Sequence, residues 1–341
     1  LIHDCRGSAN MTLMDVDNLS VTLATNDGPA RAVRNLTFSL EKGETLGIVG
    51  ESGCGKSMTA LALMGLLPEH SETNGTIALN GQNLLTKSEA ELCHIRGNNM
   101  AMIFQEPMTS LNPVHTVGRQ IMEPLRLHKG LSKAAAATET IALLDRVGIP
   151  NPKERLHNYP HQLSGGQRQR VMIAIALSCA PDILIADEPT TALDVTIQDQ
   201  ILDLIQGLVH EEGMALILIS HDLGVISENA ETVMVMYGGA AVETGKTDRI
   251  FDELSHPYTQ GLFAAMPKLG MGRGARLVTI PGTVPDLVNL PPGCTFTDRC
   301  PLATAQCRET IPPQHHLNDS HNVACHNLDK ARTMKPGELY E

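Results

Sequence analysis

An eight-residue glycine-rich stretch constrains this chain more than any other feature of its sequence. It reads Gly50-Glu51-Ser52-Gly53-Cys54-Gly55-Lys56-Ser57, with two glycines five positions apart and then Lys-Ser. A short apolar run over 45–49 precedes it and is typical of a strand, and an apolar-periodic run over 58–67 follows and is typical of a helix. Such a loop turns backbone N–H groups towards phosphate oxygens at the amino end of the helix. The stretch therefore predicts a nucleotide-phosphate site.

Within this loop, Lys56 is expected to reach the outer phosphates and Ser57 to ligate Mg²⁺. Cys54 is interpreted as a small residue that the loop tolerates. The alternative is a glycine-rich turn before an ordinary helix, and the order of strand, loop and helix disfavours it. The predicted ATP-binding residues are Gly50, Glu51, Ser52, Gly53, Cys54, Gly55, Lys56, Ser57 and Met58.

A second motif places two acids at the end of an apolar strand. The run over 183–186 is followed directly by Asp187 and Glu188. Asp187 is positioned to hold Mg²⁺ through water beside Ser57, and Glu188 to orient or deprotonate an attacking water. A carboxylate at a strand end can equally just cap the next turn. The presence of the phosphate loop favours the catalytic interpretation.

A third motif, Leu163-Ser164-Gly165-Gly166-Gln167, precedes an apolar-periodic run that predicts a helix over about 166–179. Ser164 is a suitable N-cap, and the two glycines expose backbone N–H groups at the helix start. The motif therefore predicts a second anion site. The alternative is a plain glycine-containing cap.

The order of predicted elements gives the fold class. Alternating apolar residues over 14–40 predict an antiparallel β subdomain, and later strands and helices alternate, which indicates an α/β fold with a mainly parallel core sheet. A helical subdomain is predicted as an insert over 106–162. We expect a leader without pattern over 1–13, a nucleotide-binding domain over 14–266 and a C-terminal extension over 267–341.

Composition excludes some function classes. The formal net charge of −12 argues against a nucleic-acid surface, which usually needs a basic face. No apolar run approaches the roughly 18 residues that suggest a membrane span. Of the eight cysteines, four are scattered and four lie close together in the extension, at Cys294, Cys300, Cys307 and Cys325. In a cytosolic chain such a group indicates metal rather than disulfides.

The motifs together, with Gln105 and His221, resemble the nucleotide-binding subunit of an ABC transporter, a P-loop NTPase. In that family two subunits pair head to tail, and ATP lies between the phosphate loop of one and the LSGGQ helix of the other. The resemblance implies that Gln105 bridges Mg²⁺ and the membrane subunit and that His221 holds the γ-phosphate. Gln105, Glu188 and His221 would be the catalytic residues, and Ser57, Gln105 and Asp187 the Mg²⁺ site. The residues implied to act on the partner's ATP are Ser164, Gly165, Gly166, Gln167 and Asp194.

One position departs from the family pattern. The family usually offers an aromatic residue near the first hairpin to stack on adenine, and the matching position is Leu23. Apolar packing by Leu23 can replace stacking, so we expect ATP binding with less selectivity for adenine.

The stretches 106–113 and 256–259, with the cysteine-rich tail, resemble a narrower group, the ATP-binding subunits of dipeptide and oligopeptide importers. In that group the four cysteines hold an iron–sulfur cluster. Their spacings here, with five, six and seventeen intervening residues, differ from the paired CxxC of a zinc ribbon. Four thiolates suit a 4Fe–4S cluster, and zinc is the alternative. The nearby His315, His316 and His321 are expected to be solvated rather than ligating.

The resemblance predicts an ATP-hydrolysing subunit that energises import of dipeptides or oligopeptides, peripheral to the cytoplasmic face of the inner membrane. Its expected partners are a second ATPase subunit in a heterodimer, two transmembrane permease subunits and an extracytoplasmic peptide-binding protein, with no nucleic acid. Another solute, such as nickel or glutathione, is one alternative. A soluble ABC-type ATPase acting on DNA or ribosomes is the other, and the single cassette without heptads disfavours it.

Overall fold

The computed structural model describes residues 12–191, 194–266, 278–318, 320–334 and 338–340. Residues 1–11 of the predicted leader lie outside this range. The first strand already begins at Thr12, and the side chain of Leu13 is buried. The first strand therefore begins two residues before position 14, where the nucleotide-binding domain is expected to start.

The strands form two sheets. The first is antiparallel, with the order β2-β1-β4-β5, and the second has eight strands in the order β11-β12-β10-β9-β3-β8-β7-β6. The strands are β1 (Thr12–Thr25), β2 (Gly28–Glu41), β3 (Thr45–Val49), β4 (Glu72–Leu79), β5 (Gln82–Asn83), β6 (Met100–Ile103), β7 (Ile183–Asp187), β8 (Ala215–Ser220), β9 (Thr232–Tyr237), β10 (Ala240–Lys246), β11 (Gln314–Asn318) and β12 (His321–Ala324).

The larger sheet is parallel through its centre, as the sequence predicts. Strand β3 pairs in parallel with β8 and β9, and β7 pairs in parallel with β6 and β8. Every residue of β7 and β8 is buried. Continuous apolar strands of this kind occur where helices cover both faces of a parallel sheet. The carboxyl ends of β3, β7 and β8 consequently meet at one edge, where the site residues follow.

Thirteen α-helices are present among the described residues. They are α1 (Lys56–Met64), α2 (Glu89–Ile95), α3 (Pro107–Ser110), α4 (Val117–His128), α5 (Lys133–Arg146), α6 (Pro152–Arg155), α7 (Gly165–Leu177), α8 (Val195–Glu212), α9 (Leu223–Asn229), α10 (Thr247–Asp252), α11 (Pro257–Ala264), α12 (Ala305–Glu309) and α13 (Leu328–Arg332). Helices α3 to α6 occupy the predicted insert between β6 and β7, so the region is helical as expected. No helix among the described residues is both long and apolar enough to span a membrane.

The C-terminal extension is joined to the central sheet. Strand β12 pairs with β10, with Val323 opposite Glu243, and β11 pairs with β12. The amide of Gln260 in α11 donates to the carbonyl of Ala331 in α13 at 2.8 Å. Residues 267–277, where the sequence places the boundary, lie outside the described range.

Aromatic residues are few, and three of them pack together where the extension meets the cassette. The ring of Tyr237 lies 4.6 Å from that of Tyr258 and 5.0 Å from that of Phe296, both in edge-on contacts. All three side chains are fully buried. Edge-on aromatic pairs contribute beyond the area that they bury, so this cluster stabilises the contact between extension and sheet.

Candidate nucleotide-binding site

The glycine-rich loop connects β3 to α1, and its shape depends on glycine at two positions. Gly50 and Gly55 have φ angles of 158° and 101°. A Cβ atom on Gly50 would lie 2.3 Å from the carbonyl oxygen of Met236, and one on Gly55 would lie 2.2 Å from that of Ala32. Neither backbone oxygen can give way easily, so any side chain at these positions would distort the loop.

Lys56 begins α1 and is almost completely buried. Its ammonium group donates to the carbonyl oxygens of Gly50 at 2.6 Å and Glu51 at 3.2 Å. It also lies 3.7 Å from a carboxylate oxygen of Glu188. A buried cation needs such partners, because an unpaired charge away from water is very costly. The positive charge is thus held inside the loop, and contact between Lys56 and the outer phosphates stays a prediction.

Ser57 and Asp187, both predicted Mg²⁺ ligands, lie together. The Ser57 hydroxyl donates to a carboxylate oxygen of Asp187 at 3.1 Å. Burial raises the pKa of Asp187, and the hydrogen bond from Ser57 partly opposes that shift. A hydroxyl beside a buried carboxylate offers the oxygen ligands that Mg²⁺ prefers.

Glu188 is the meeting point of the predicted catalytic side chains. One carboxylate oxygen accepts from the Gln105 amide at 3.0 Å and lies 3.2 Å from Nδ1 of His221. The same oxygen accepts from the Thr191 hydroxyl at 3.0 Å. The backbone of Glu188 is left-handed, with φ at 45°, which turns the side chain out of the strand direction. Gln105 after β6, His221 after β8 and Lys56 at the start of α1 therefore converge on one carboxylate.

Thr191 is a contact of Glu188 that sequence reasoning missed. It follows Glu188 by three residues, and its signal was a hydroxyl at the (i+3) position of a turn. Its backbone N–H also donates to the carbonyl oxygen of Glu188 at 3.2 Å. This short turn therefore restrains both the carboxylate and the backbone of Glu188.

The LSGGQ stretch begins α7, as predicted, with a reciprocal cap. The Ser164 hydroxyl accepts from the N–H of Gln167 at 3.3 Å, and the Gln167 side chain accepts from the N–H of Ser164 at 3.1 Å. This capping box satisfies two backbone donors of the first turn. Ser164 and Gly165 are exposed. The structure thus presents the amino end of a 13-residue helix to the outside.

Four other predicted contact residues have simpler surroundings. Leu23 and Met58 are half-buried and pack against the same apolar cluster. Cys54 is fully buried, and burial raises the pKa of its thiol, which agrees with a small tolerated residue rather than a reactive one. Asp194 is exposed at the N-cap of α8, while Ala192 and Leu193 lie outside the described residues.

Two residues far along the chain reach the phosphate loop. The Arg299 guanidinium pairs with both carboxylate oxygens of Glu51, at 2.5 and 3.0 Å. The phenol oxygen of Tyr258 accepts from the backbone N–H of Glu51 at 2.8 Å. Burial alone would lower the pKa of Arg299, but its bonds to Glu51 and Tyr237 raise the pKa overall. In the sequence, Tyr258 lies in the stretch 256–259 and Arg299 in the cysteine-rich tail, both of which resemble the peptide importers. No local pattern links either residue to the loop.

The four C-terminal cysteines interact electrostatically. Burial raises the pKa of Cys300 to about 12 and of Cys325 to about 11, and the other thiols of the group contribute to both shifts. Cys294, Cys300 and Cys325 each accept a hydrogen bond from a backbone N–H two residues on, and the Asn327 amide donates to Cys307 at 3.3 Å. Within the described ranges, however, no three or more His, Cys, Asp or Glu residues are arranged to hold a metal ion.

The expectation that His321 is solvated was wrong. Its side chain is completely buried, and Nε2 lies 2.8 Å from a carboxylate oxygen of Glu243. Glu243 also accepts from the backbone N–H groups of Ser255 and His256, each at 3.0 Å. The histidine is buried because β12 pairs with β10, a long-range pairing that local polarity does not reveal. His316 is exposed, as expected.

Comparisons with known proteins agree with this geometry. A family model described as "ABC transporter" matches residues 33–191, and one described as "Oligopeptide/dipeptide transporter, C-terminal region" matches 242–307. The chain is 51% identical over 315 residues to the dipeptide transport ATP-binding protein DppD of Bacillus subtilis, covering 92% of this chain and 94% of that protein. It is 50% identical over 313 residues to the oligopeptide transport ATP-binding protein OppD of Salmonella typhimurium, covering 92% and 93%.

A solved relative supports the same assignment. It is an ATP-binding cassette bound to ADP and phosphate in a dimeric, post-hydrolysis state, 27% identical, with a TM-score of 0.62 over 69% of this chain and 98% of that one. The long matches at about half identity include the loop, the acids and the LSGGQ helix. The chain therefore belongs to the ABC transporter ATP-binding family, as an ATPase with the C-terminal region of the oligopeptide and dipeptide transporters.

Proposed function

We propose that this chain is the ATP-hydrolysing subunit that energises import of dipeptides or oligopeptides across the cytoplasmic membrane. The observation that carries the ATPase role is the convergence of Lys56, Gln105 and His221 on the Glu188 carboxylate. The peptide substrate is supported by the names of the relatives and by the match to the transporter C-terminal region.

In the proposed reaction the loop N–H groups and Lys56 would hold the phosphates, while Ser57 and Asp187 would hold Mg²⁺. Bound Mg²⁺ neutralises charge on the phosphate oxygens. Glu188 accepts a proton from water as the water oxygen bonds to the γ-phosphorus and the bond to the bridging oxygen of ADP breaks. Gln105 and His221 orient this carboxylate and the γ-phosphate. Catalysis is mostly positioning and electrostatics, so the preformed contacts of Glu188 are its main requirement.

The test is Glu188→Gln, which keeps the shape of the side chain but cannot take up a proton. We expect ATP binding to persist while hydrolysis falls by about 100-fold or more, measured as phosphate release from the assembled transporter. Glu154→Gln makes the same change at an exposed position of α6 and should leave turnover as it is. Unchanged turnover in Glu188→Gln would remove Glu188 from this role.

We also propose that the site is completed by a second cassette. Ser164, Gly165, Gly166, Gln167 and Asp194 would contact the ATP held by the partner's loop. Support comes from the exposed amino end of α7 and from the dimeric state of the solved relative. The partner would be a different ATPase subunit, with two permease subunits and an extracytoplasmic peptide-binding protein completing the complex at the inner face of the membrane.

The predicted division into domains extends this proposal. The cassette over 14–266 would perform hydrolysis, and the helical subdomain over 106–162 would dock on the permease. Exposed apolar side chains near its start, Phe104 and Val114, are 38% and 74% accessible and suit such a contact. The extension over 267–341 would be particular to peptide importers.

We further propose that Cys294, Cys300, Cys307 and Cys325 hold a 4Fe–4S cluster. The backbone N–H groups and the Asn327 amide directed at their sulfurs support a thiolate site, because such donors stabilise the charged form. A cluster distributes four thiolates over four irons, whereas zinc requires all ligands around one ion. The spacings of five, six and seventeen intervening residues differ from the paired CxxC that a zinc ribbon uses, which favours the cluster over zinc.

An absorbance spectrum of anaerobically purified protein tests this assignment. We expect a broad band at about 400 nm from charge transfer between sulfur and iron. Cys325→Ser should remove the band and Cys93→Ser, at an exposed position of α2, should keep it. Colourless protein with one equivalent of zinc would establish the alternative metal.

The transported solute is a separate question, because the residues proposed for the ATP site do not identify it. Uptake by the assembled transporter should be measured with dipeptides and longer peptides against nickel and glutathione, using the matching binding protein. Uptake of nickel or glutathione alone would contradict the peptide assignment and leave the ATPase role standing.

A further inference from the structure

The Arg299 guanidinium is fully engaged at the edge of the phosphate loop. Besides its two bonds to Glu51, it donates to the carbonyl oxygens of Pro281 at 2.9 Å and Ile280 at 3.2 Å, and to the hydroxyl of Tyr237 at 3.3 Å. These bonds account for all five N–H donors that a guanidinium carries. A saturated, planar donor set leaves Arg299 one orientation, and that orientation presents two parallel N–H groups to Glu51.

The two partners of this ion pair also differ in how deeply they are buried. The Arg299 side chain is 4% exposed, whereas Glu51 is 32% exposed, so the cation is the rigid partner and the loop residue the one that is held. The guanidinium lies over the rings of Tyr237 and Phe296, at 5.7 and 6.0 Å from their centres. These two contacts with aromatic rings restrain the cation further.

Glu51 is restrained at its backbone too. Its N–H donates to the Tyr258 hydroxyl, and its carbonyl oxygen accepts from the Lys56 ammonium. Burial raises the pKa of Tyr258 well above its usual value, so the phenol keeps its proton and remains an uncharged acceptor. The peptide groups on the two sides of Glu51 are therefore tied to α11 and to the lysine that is to meet phosphate.

We infer that Arg299 and Tyr258 are positioning residues of the ATP site, acting through Glu51 to hold the phosphate loop in its binding shape. Both lie outside the residues 33–191 that match the ABC transporter family model. Nucleotide binding by this chain would therefore depend on residues beyond that matched region. The inference concerns nucleotide binding by this subunit and goes beyond the proposed transport function.

The simpler explanation is that Arg299 only attaches the extension to the cassette. The chain offers a matched control for that role. Arg332 in α13 pairs with Glu253 at 3.0 Å and also joins the extension to the cassette, without contacting the loop. A residue that merely attaches should affect stability, whereas a positioning residue should also affect ATP affinity.

The experiment uses the full chain in the Glu188→Gln background, so that ATP binding is measured without hydrolysis. Dissociation constants for radiolabelled ATP with Mg²⁺ are determined for Arg299→Met, Arg299→Lys, Tyr258→Phe and Arg332→Met, with the urea midpoint of each variant. We expect Arg299→Met to weaken ATP binding about tenfold or more, and Arg299→Lys to recover part of it, since lysine keeps the charge but not the paired geometry. Arg332→Met should stay within about twofold.

A second variant covers the case in which Arg299→Met does not fold. Glu51→Gln alters the exposed partner only, and it should weaken ATP binding in the same direction. Combined with Arg299→Lys it should add little, because the two changes remove one interaction. In the hydrolysing protein, Arg299→Lys should raise KM for ATP more than it lowers kcat.

Two results would overturn the inference. One is unchanged ATP affinity in folded Arg299→Met or, failing that variant, in Glu51→Gln. The other is an equal loss of affinity in Arg332→Met. Neither result bears on peptide transport, so the inference and the proposed function fail separately.

Discussion

At the residue scale, His256 shows how completely this fold can bury an ionisable group. Its Nδ1 accepts from the backbone N–H of Tyr258 at 3.1 Å, and this bond caps α11. The backbone N–H of His256 donates to the Glu243 carboxylate. Burial lowers the pKa of His256 to about 4, and the nearby charge of Glu243 only partly opposes the shift. The neutral imidazole is therefore the form that the native structure accepts.

This shift predicts a dependence of stability on pH. The unfolded histidine takes up a proton near pH 6.5, whereas the folded one does so only near 4. Between these values the unfolded state binds more protons, so the free energy of unfolding falls as pH falls, by about 3 kcal/mol in total. Urea unfolding at pH 7 and pH 4.5 measures the loss.

His256→Asn provides the comparison, because its amide oxygen can accept the same N–H and keep the cap. We expect the variant to lose less stability between the two pH values than the parent does. His210→Asn, at an exposed position near the end of α8, is the control and should follow the parent. Parallel curves for the parent and His256→Asn would show that another group controls the dependence.

At the element scale, the amino end of α7 illustrates what local sequence predicts well. The expected helix over 166–179 is observed over Gly165–Leu177, with Ser164 as its cap. Capping and apolar periodicity are local properties, so they can be recognised without the rest of the fold. What this end of the helix binds is a property of the assembly.

Gly165→Asp separates the two properties. A carboxylate in the first turn interacts favourably with the helix dipole, so the subunit should remain folded and bind ATP normally. If α7 contacts the partner's γ-phosphate, the added negative charge should repel it and lower ATPase activity of the assembled transporter by about tenfold or more. Gly207→Asp, at an open and exposed position of α8, adds the same charge elsewhere and should have little effect. Normal activity in Gly165→Asp would contradict the two-subunit site.

At the scale of the whole molecule, the extension and the cassette share one sheet. Strands β10 and β12 are paired, Gln260 bonds Ala331, and the cluster of Tyr237, Tyr258 and Phe296 lies between the two parts. These contacts are buried, and buried contacts couple the unfolding of the elements that share them.

We therefore expect the extension to unfold together with the cassette. Hydrogen exchange followed by mass spectrometry in increasing urea should show protection in β12 disappearing at the same concentration as in β8. Protection of helix α5 is measured as well, because its earlier loss would show that the helical subdomain opens before the rest of the cassette. Loss of β12 protection well before β8 would mean that the extension is an independent unit, as a strict boundary near 267 implies.

The chemical groups at the site were determined by sequence alone. The loop, the acids after β7 and the N-cap of α7 are short motifs whose geometry follows from local backbone conformation, and the structure brings Ser57 beside Asp187 and Gln105 beside Glu188. Parallel strands explain why these side chains meet, because residues that follow the carboxyl ends of such strands lie at one edge of the sheet.

Only the tertiary structure decided how the C-terminal region enters the site. Arg299 meets Glu51 across 248 positions of sequence, and Glu243 meets His321 across 78. Such pairs depend on the pairing of β10 with β12 and on the packing of buried aromatic rings, which no local pattern of polarity encodes. Sequence determined the chemistry of the phosphate loop, and long-range packing determined what holds that loop in place.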